Sequence, residues 1–326
     1  MDCILPIKKD IPYLDTNVID IVLENWNATT SYTQGTEIIY QKSVYYANNI
    51  GADNENIGKI PSDRNTVNVN GIDIVYWIFK RTLNSYRCFD DENNTQTTMN
   101  GMDINYLIDS SRITDIIFFG LEAKSLDILM YQDNNNEIFG LSESLLNGEH
   151  DNLIKKYSID LIDDNIQDII EYINESWTYK EKYALSLPFT IGTTKMVISI
   201  KQDNNISKIG NIIIGTKINL GVTLDGIGHN EIDFGTTQIN EDGSISRIAG
   251  NVVDLLSLNV SVVDTGRSVK DYDIVVKRLA SFSKVNMVWI GCSEYETLTV
   301  FGFLKESRKT LRNANTTLEL EIQGIA

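Results

Sequence analysis

Two histidines, His150 and His229, and three cysteines, Cys3, Cys88 and Cys292, are the residues of this 326-residue chain best suited to nucleophilic or metal chemistry. A structural zinc site needs ligands at short paired spacings, and a serine or cysteine nucleophile needs a base beside it in a strand–turn setting. The sequence has no CxxC, no Cys/His pairing and no G-x-S-x-G. The cysteines therefore read as small apolar packing residues of a reducing compartment, and the histidines as surface or loop residues. Asp133, Asn135 and Glu137 repeat the first half of a calcium loop, but Ile138 replaces the glycine at the sixth position and Ser144 stands at the twelfth. That stretch reads as a solvated turn. The G-x-G of Gly226, Ile227 and Gly228 lacks the third glycine and the following helix of a dinucleotide site, and reads as a β loop. Carboxylates are plentiful, but a glycosidase pair is defined by a separation of ~5–10 Å, so no pair is nominated. The expectation is no catalytic residue, no metal and no cofactor.

Binding chemistry is more legible. Residues 26–50, WNATTSYTQGTEIIYQKSVYYANNI, hold one tryptophan and four tyrosines but only two charges, Glu37 and Lys42. With Trp77 they bracket a unit of about fifty residues. Rings facing outward could stack on the apolar face of a sugar, which nominates Trp26, Tyr32, Tyr45, Tyr46 and Trp77 as a carbohydrate platform. The same rings have a second reading as core, because so small a unit needs its largest side chains to bury enough area.

The elements that would position these residues are mostly strands. Ile38, Tyr40, Val44 and Tyr46 recur at period two about a joint at Gln41-Lys42, which predicts a hairpin. Residues 51–71 read as a long polar loop. Four further apolar runs, at 115–121, 125–131, 182–189 and 194–200, are bounded by Asn, Asp or Gly and predict strands of a sandwich. Leu256, Leu258, Val260 and Val262 alternate along one strand face, and Leu318, Leu320 and Ile322 along another. Helical spacing appears in three places: behind Asp15 or Thr16, over 163–177, and over 268–282, where Tyr272, Val275, Val276, Leu279 and Phe282 share a face. The predicted fold is mainly β: a small aromatic β module within 1–80, a jelly-roll-like sandwich over 81–215, and a C-terminal antiparallel β domain over 216–326 with one flanking amphipathic helix.

Composition narrows the partners. Formal charge is −17, and basic residues appear only as scattered pairs such as Lys8-Lys9 and Lys155-Lys156. Phosphate-backbone binding needs clustered Lys and Arg, so nucleic acid is excluded as an expected ligand. No apolar run approaches the ~18 residues that span a bilayer, and the first residues lack a signal-peptide pattern, so neither membrane insertion nor secretion by that route is expected.

Three segments carry a resemblance to bacteriophage virion proteins of the tail region. Trp26, Thr30, Tyr32, Gly35, Ile38, Tyr40 and Tyr45 fill a pattern similar to small chitin-binding-type carbohydrate modules. The segment 84–108 resembles a following N-R-x-R-x-F-D-x(4)-T-x-T motif through Arg87, Phe89, Asp90, Thr95, Thr97 and Thr98. The run from Met287 resembles the C-terminal V-W-x-G-x(2)-Y-E-x-T-x-x-Y-G-F-x-K stretch through Trp289, Gly291, Tyr295, Glu296, Thr299, Gly302, Phe303 and Lys305, with Phe301 in place of the tyrosine. The resemblance implies a structural component of the virion tail, neck or baseplate, made in the host bacterial cytoplasm and present in multiple copies or as a homo-oligomeric ring. Its partners would be other virion proteins. A host surface glycan on the aromatic module is the alternative.

Overall fold

Apolar runs bounded by polar turns become antiparallel strands along the chain. The structure is a computed structural model that describes residues 1–7, 12–48, 56–63, 66–69, 72–92, 95–161, 181–188, 190, 192–202, 205–239, 244–248, 250–262, 285–293, 295–311 and 316–325. The helices expected over 163–177 and 268–282 lie outside the described residues.

Among the described residues the largest sheet has ten strands. Its order is β13 (Lys182–Ser186), β10 (Asp115–Phe119), β16 (Asn211–Asn219), β1 (Asp2–Pro6), β22 (Met287–Ile290), β23 (Thr299–Leu311), β24 (Thr316–Gly324), β21 (Val252–Val262) and β17 (Val222–Thr223), with β18 (Gly228–Asp233) also paired to β21. A five-stranded sheet runs β12 (Leu153–Asp160), β11 (Ser125–Gln132), β14 (Thr194–Lys201), β9 (Ile104–Asp109) and β2 (Asp15–Thr16). Smaller sheets are β3 (Glu37–Tyr40), β4 (Ser43–Ala47) and β7 (Trp77–Thr82), and the pairs β5 (Thr66–Val69) with β6 (Ile72–Val75), β8 (Thr97–Asn100) with β15 (Ile206–Ile209), and β19 (Thr236–Ile239) with β20 (Ile245–Ile248).

The five-stranded sheet packs on part of the large one. Ile116, Phe118, Ile212 and Ile214 of the large sheet meet Tyr106, Leu126, Ile128 and Ile198 of the smaller one in a buried core. The far face of the smaller sheet is covered too: Leu107, Leu129, Tyr131 and Val197 pack under Ile138 and Leu145. Leu145 belongs to the short helix α1 (Glu143–Asn147), which Ser142 caps through its hydroxyl and Gly148 ends at φ 77°. Strands covered on both faces read as continuous apolar runs, as Ile116–Phe119 of β10 and Ile128–Tyr131 of β11 do, whereas β14 keeps Lys195 and Ser199 among its apolar residues.

The large sheet is strongly curled. Phe119 on β10 and Phe301 on β23 are separated by β16, β1 and β22, which on a flat sheet would place them roughly 19 Å apart at ~4.8 Å per strand. Their ring centroids are 6.0 Å apart. The concave side holds Ile4, Ile117, Ile213 and Val288. The curl carries the edge strand β13 back to the other end of the sheet: Lys182 Nζ lies 3.5 Å from Asp254 Oδ2 on β21 and donates to Thr299 O at 3.3 Å. On the opposite face Trp289 is surrounded by Leu256, Leu258, Val260, Leu318, Leu320 and Ile322, so the two alternating strands read from the sequence are direct neighbours, with Leu258 opposite Leu320.

Three expectations are revised. The sheets do not respect the spans 1–80, 81–215 and 216–326, because β1 lies between β16 and β22 and β16 runs through the boundary at 215 and 216. The segment behind Asp15 is extended rather than helical: Asp15 and Thr16 pair with Leu107 and Tyr106, and Asn17 donates to Asp103 O and accepts from Asn105 N–H. Those tertiary bonds outweigh a weak helical preference in a run of β-branched residues, and Val22 ends 95% exposed. The loop expected over 51–71 contains β5, whose hairpin with β6 sets Val69 opposite Ile72.

Candidate functional site

The aromatic module is built on β3, β4 and β7. Tyr40 faces Ser43 across a two-residue turn in which Gln41 takes φ 55°. A side chain at positive φ is strained, and glycine removes the strain. Gln41→Gly is expected to stabilise the protein by about 0.5–1 kcal/mol in chemical denaturation; a loss would show that the turn tolerates glutamine without strain.

A two-residue turn reverses parity, so Ile38 lies opposite Tyr45, and Tyr45 opposite Phe79. One face of the sheet thus carries Ile38, Tyr40, Tyr45, Ala47, Trp77 and Phe79. Tyr32 and Trp77 are interior, at 4% and 5% exposure, and meet edge to face at 5.4 Å. Both have their polar ends satisfied: the Tyr32 hydroxyl accepts from Asn27 N–H at 2.7 Å, and Trp77 Nε1 donates to Lys59 O at 2.8 Å. Asn56, fully buried, accepts from Tyr32 N–H at 3.1 Å and donates to Tyr32 O at 2.8 Å, pinning the 56–63 loop over the rings.

Trp26 and Tyr45 are half-buried. Trp26 stands edge-on to Tyr40 at 5.4 Å, and its indole N–H is buried without a partner. The main chain beside it bonds to β3, where Trp26 N–H donates to Ile39 O at 2.8 Å. Tyr45 stands edge-on to Phe79 at 5.8 Å, and Phe79 is 50% exposed. Burial raises the Tyr45 hydroxyl pKa above its usual range, against a hydrogen bond with Ser43. Tyr46 points to the other face, opposite Glu37 and Ile78. Glu37 there pairs with Lys80 and Arg81, and the Lys80 hydrogen bond is the chief reason its carboxyl sits below the usual range.

Of the five nominated residues the structure therefore brings Trp26 and Tyr45 to one partly exposed face, puts Tyr32 and Trp77 beneath it, and separates Tyr46. Tyr40 and Phe79 complete that face. The parity reversal at Gln41-Lys42 was the sequence signal for Tyr40.

The segment 84–98 is a self-bonded clamp. Asn84 Oδ1 accepts from Thr98 N–H at 3.0 Å and its Nδ2 donates to Thr98 O at 2.8 Å; Thr97 Oγ1 donates to Asn84 O at 2.6 Å. Arg87 donates to the carbonyls of Thr82 and Gln96, each at 3.3 Å. Burial raises the Asp90 carboxyl pKa above its usual range, partly offset by the Thr95 hydroxyl at 2.8 Å and Glu92 N–H at 3.0 Å. Tyr106 donates to Ser85 O at 2.9 Å, tying the clamp to the sandwich core. In the C-terminal segment Trp289 Nε1 donates to Gly302 O at 3.1 Å. A Cβ on Gly302 would fall 2.1 Å from Gln323 O, so only glycine fits there.

Elsewhere the reactive groups serve packing or sheet closure. Among the described residues no group of three or more His, Cys, Asp or Glu side chains could hold a metal ion, and no helix is long and apolar enough to cross a membrane. His229 Nε2 bonds to Asp254 Oδ1 at 3.0 Å, beside Lys182. His150 stands edge-on to Tyr131. The turn at Asp133 is not solvated at its first residue: Asp133 is buried, its Oδ1 accepts from Glu137 and Ile138 N–H, and Lys195 lies 3.9 Å from Oδ2. Burial pushes the Cys3 and Cys88 thiols up to about 12. Thiolate is the reactive form, so a maleimide is expected to label the half-exposed Cys292 first and to reach the other two only on unfolding; labelling of Cys88 in the native protein, read by mass spectrometry, would contradict its burial.

Compared with known proteins, the chain matches no family model and no curated sequence.

Proposed function

We propose that the chain is a non-enzymatic structural component of a bacteriophage virion, in the tail, neck or baseplate, where it joins tail proteins or fibres through protein–protein contacts. The observation that carries this reading is the three-segment resemblance, in chain order, from Trp26 to Lys305. Its physical side is that the resembling residues do framework work: Tyr32 fills a core, Arg87 and Thr97 lock a clamp, and Trp289 and Gly302 join two strands. A sheet that takes strands from both ends of the chain resists being pulled apart piecewise, which suits a load-bearing part. Mass spectrometry of purified particles is expected to find the protein at a constant ratio to the major tail protein. Particles that are infectious without it would end the proposal.

The half-exposed face of Trp26, Tyr40, Tyr45 and Phe79 favours a second reading, a glycan-binding module for host recognition. Edge-on rings with one open flank can contact the apolar face of a sugar. Trp26→Ala and Tyr45→Ala would then abolish binding to chitin oligomers or host cells while thermal unfolding stays close to wild type; binding that survives both substitutions counts against it.

A further inference from the structure

Asp133 follows β11 directly, and its surroundings turn the carboxyl inward. Its main-chain N–H donates to Thr193 O at 2.8 Å, and the chain then folds back, with Asn136 N–H donating to Asp133 O at 3.1 Å. Asp133 ends 2% exposed, and Lys195 on β14 is 8% exposed. Lys195 stands opposite Tyr131 of β11 and Asp109 of β9 in the strand register. Lysine and aspartate are almost never so deeply buried unless they are paired.

The two oxygens of that carboxyl are placed differently. Oδ1 accepts from Glu137 N–H at 2.7 Å and from Ile138 N–H at 3.3 Å. Oδ2 is buried without a hydrogen-bond partner, and Lys195 Nζ lies 3.9 Å from it, too far for a hydrogen bond. A buried ion pair repays its desolvation only with close geometry and further hydrogen bonds, and Oδ2 has neither. As an ion pair the arrangement is poor. As a site for acyl transfer it is well arranged: two main-chain N–H groups hold one oxygen, as an oxyanion hole does, and an amine stands beside the other.

We propose that Lys195 and Asp133 condense within the folded chain to form an isopeptide bond. The Lys195 ammonium gives one proton to the Asp133 carboxylate, and the neutral amine attacks Cγ. Attack requires an approach to about 3–3.5 Å, which rotation of the flexible lysine side chain supplies. Negative charge develops on Oδ1, where the Glu137 and Ile138 N–H groups already point. Nζ then passes a second proton to Oδ2, the Cγ–Oδ2 bond breaks, and Oδ2 leaves as water. Asp109, opposite Lys195, is a further carboxylate able to relay these protons. No oxidant or co-reactant is consumed, and the product carries neither of the two buried charges. The bond ties the end of β11 to β14, the middle strand of the five-stranded sheet, and closes the chain from 133 to 195 into a covalent loop, a constraint that acts on the unfolded chain as a disulfide does. The inference does not rest on the virion reading, since it concerns chemistry within one chain.

Intact-mass spectrometry of the purified full chain, kept folded at neutral pH and then denatured, tests the bond. The expected mass is lower than that of the sequence by one water, and a tryptic digest should contain a branched peptide joining the residues around Asp133 to those around Lys195. Lys195→Arg keeps the positive charge but not the nucleophile, and should retain the water, as should Asp133→Ala. Asp133→Asn should reach the wild-type product by losing ammonia instead of water, so that the two chains end with identical masses. A wild type at the full mass of its sequence would overturn the proposal and leave a buried ion pair. A water loss that persists in Lys195→Arg would also overturn it, because a succinimide at Asp225-Gly226 gives that result without a cross-link.

Discussion

Replacing Trp289 with alanine is expected to lower the unfolding free energy by about 3–5 kcal/mol, the range for removing a large buried ring. The indole is fully buried at the middle of the C-terminal cluster, on a strand held between β1 and β23. Alanine would open a cavity against Cys3, Leu258 and Val300 and leave Gly302 O, the acceptor of the indole N–H, without that bond. Trp289→Phe separates the two contributions, since it refills most of the volume but cannot donate; its expected cost is about 1–3 kcal/mol. Urea denaturation of both variants reads the difference. A cost below about 1 kcal/mol for Trp289→Ala, within the scatter of surface changes, would mean that the cluster does not depend on this side chain.

Trp77→Ala is expected to cost a similar amount, about 3–5 kcal/mol, but to spend it locally. Trp77 packs on Tyr32, Ile38 and Ala47 within the aromatic module, which has its own cluster apart from the sandwich core. Hydrogen exchange should lose protection over β3, β4 and β7 while β14 keeps its own. Phe79→Ala, at a half-exposed position on the same strand, should leave protection unchanged and alter stability by no more than about 1 kcal/mol. The pair separates core from platform: equal loss of protection in both variants would mean that the exposed ring is as structural as the buried one.

Much of the fold was legible because burial leaves a direct imprint on sequence. Strands β10 and β11, covered on both faces, carry the apolar runs Ile116–Phe119 and Ile128–Tyr131, and β21 and β24 alternate from Leu256 to Val262 and from Leu318 to Ile322. The hairpin at Gln41-Lys42 was legible for the same reason, but its facing was not carried across the turn: Tyr40 opposes Ser43, so Tyr45 rather than Tyr46 shares a side with Ile38 and Tyr40. The hairpin of β5 and β6 had a signal in Asn70-Gly71 between alternating apolar residues, which the surrounding polarity masked. What local pattern cannot encode is which distant strand becomes a neighbour. Asp15 and Thr16 carried the start signal of a helix and were claimed by β9. Nothing within residues 2–6 indicates that they fit between β16 and β22. The candidate face shares this limit, because Phe79 joins Tyr45 only once β7 has paired with β4.

The position of β1 has a consequence for biosynthesis. Asp2 and its partner Asn219 are 217 residues apart in the chain, and β22 follows later still. At about 5–20 residues per second, translation reaches the first partner of β1 roughly 10–40 seconds after β1 itself is made. Until then Cys3 and Ile4, both destined for the interior, have neither neighbouring strand to pair with. Large sheets closed by such distant pairings fold slowly and expose unpaired edges meanwhile. The nascent chain therefore carries β1 unpaired until β16 has been made, and the seam that β1 fills cannot be completed before β22 follows.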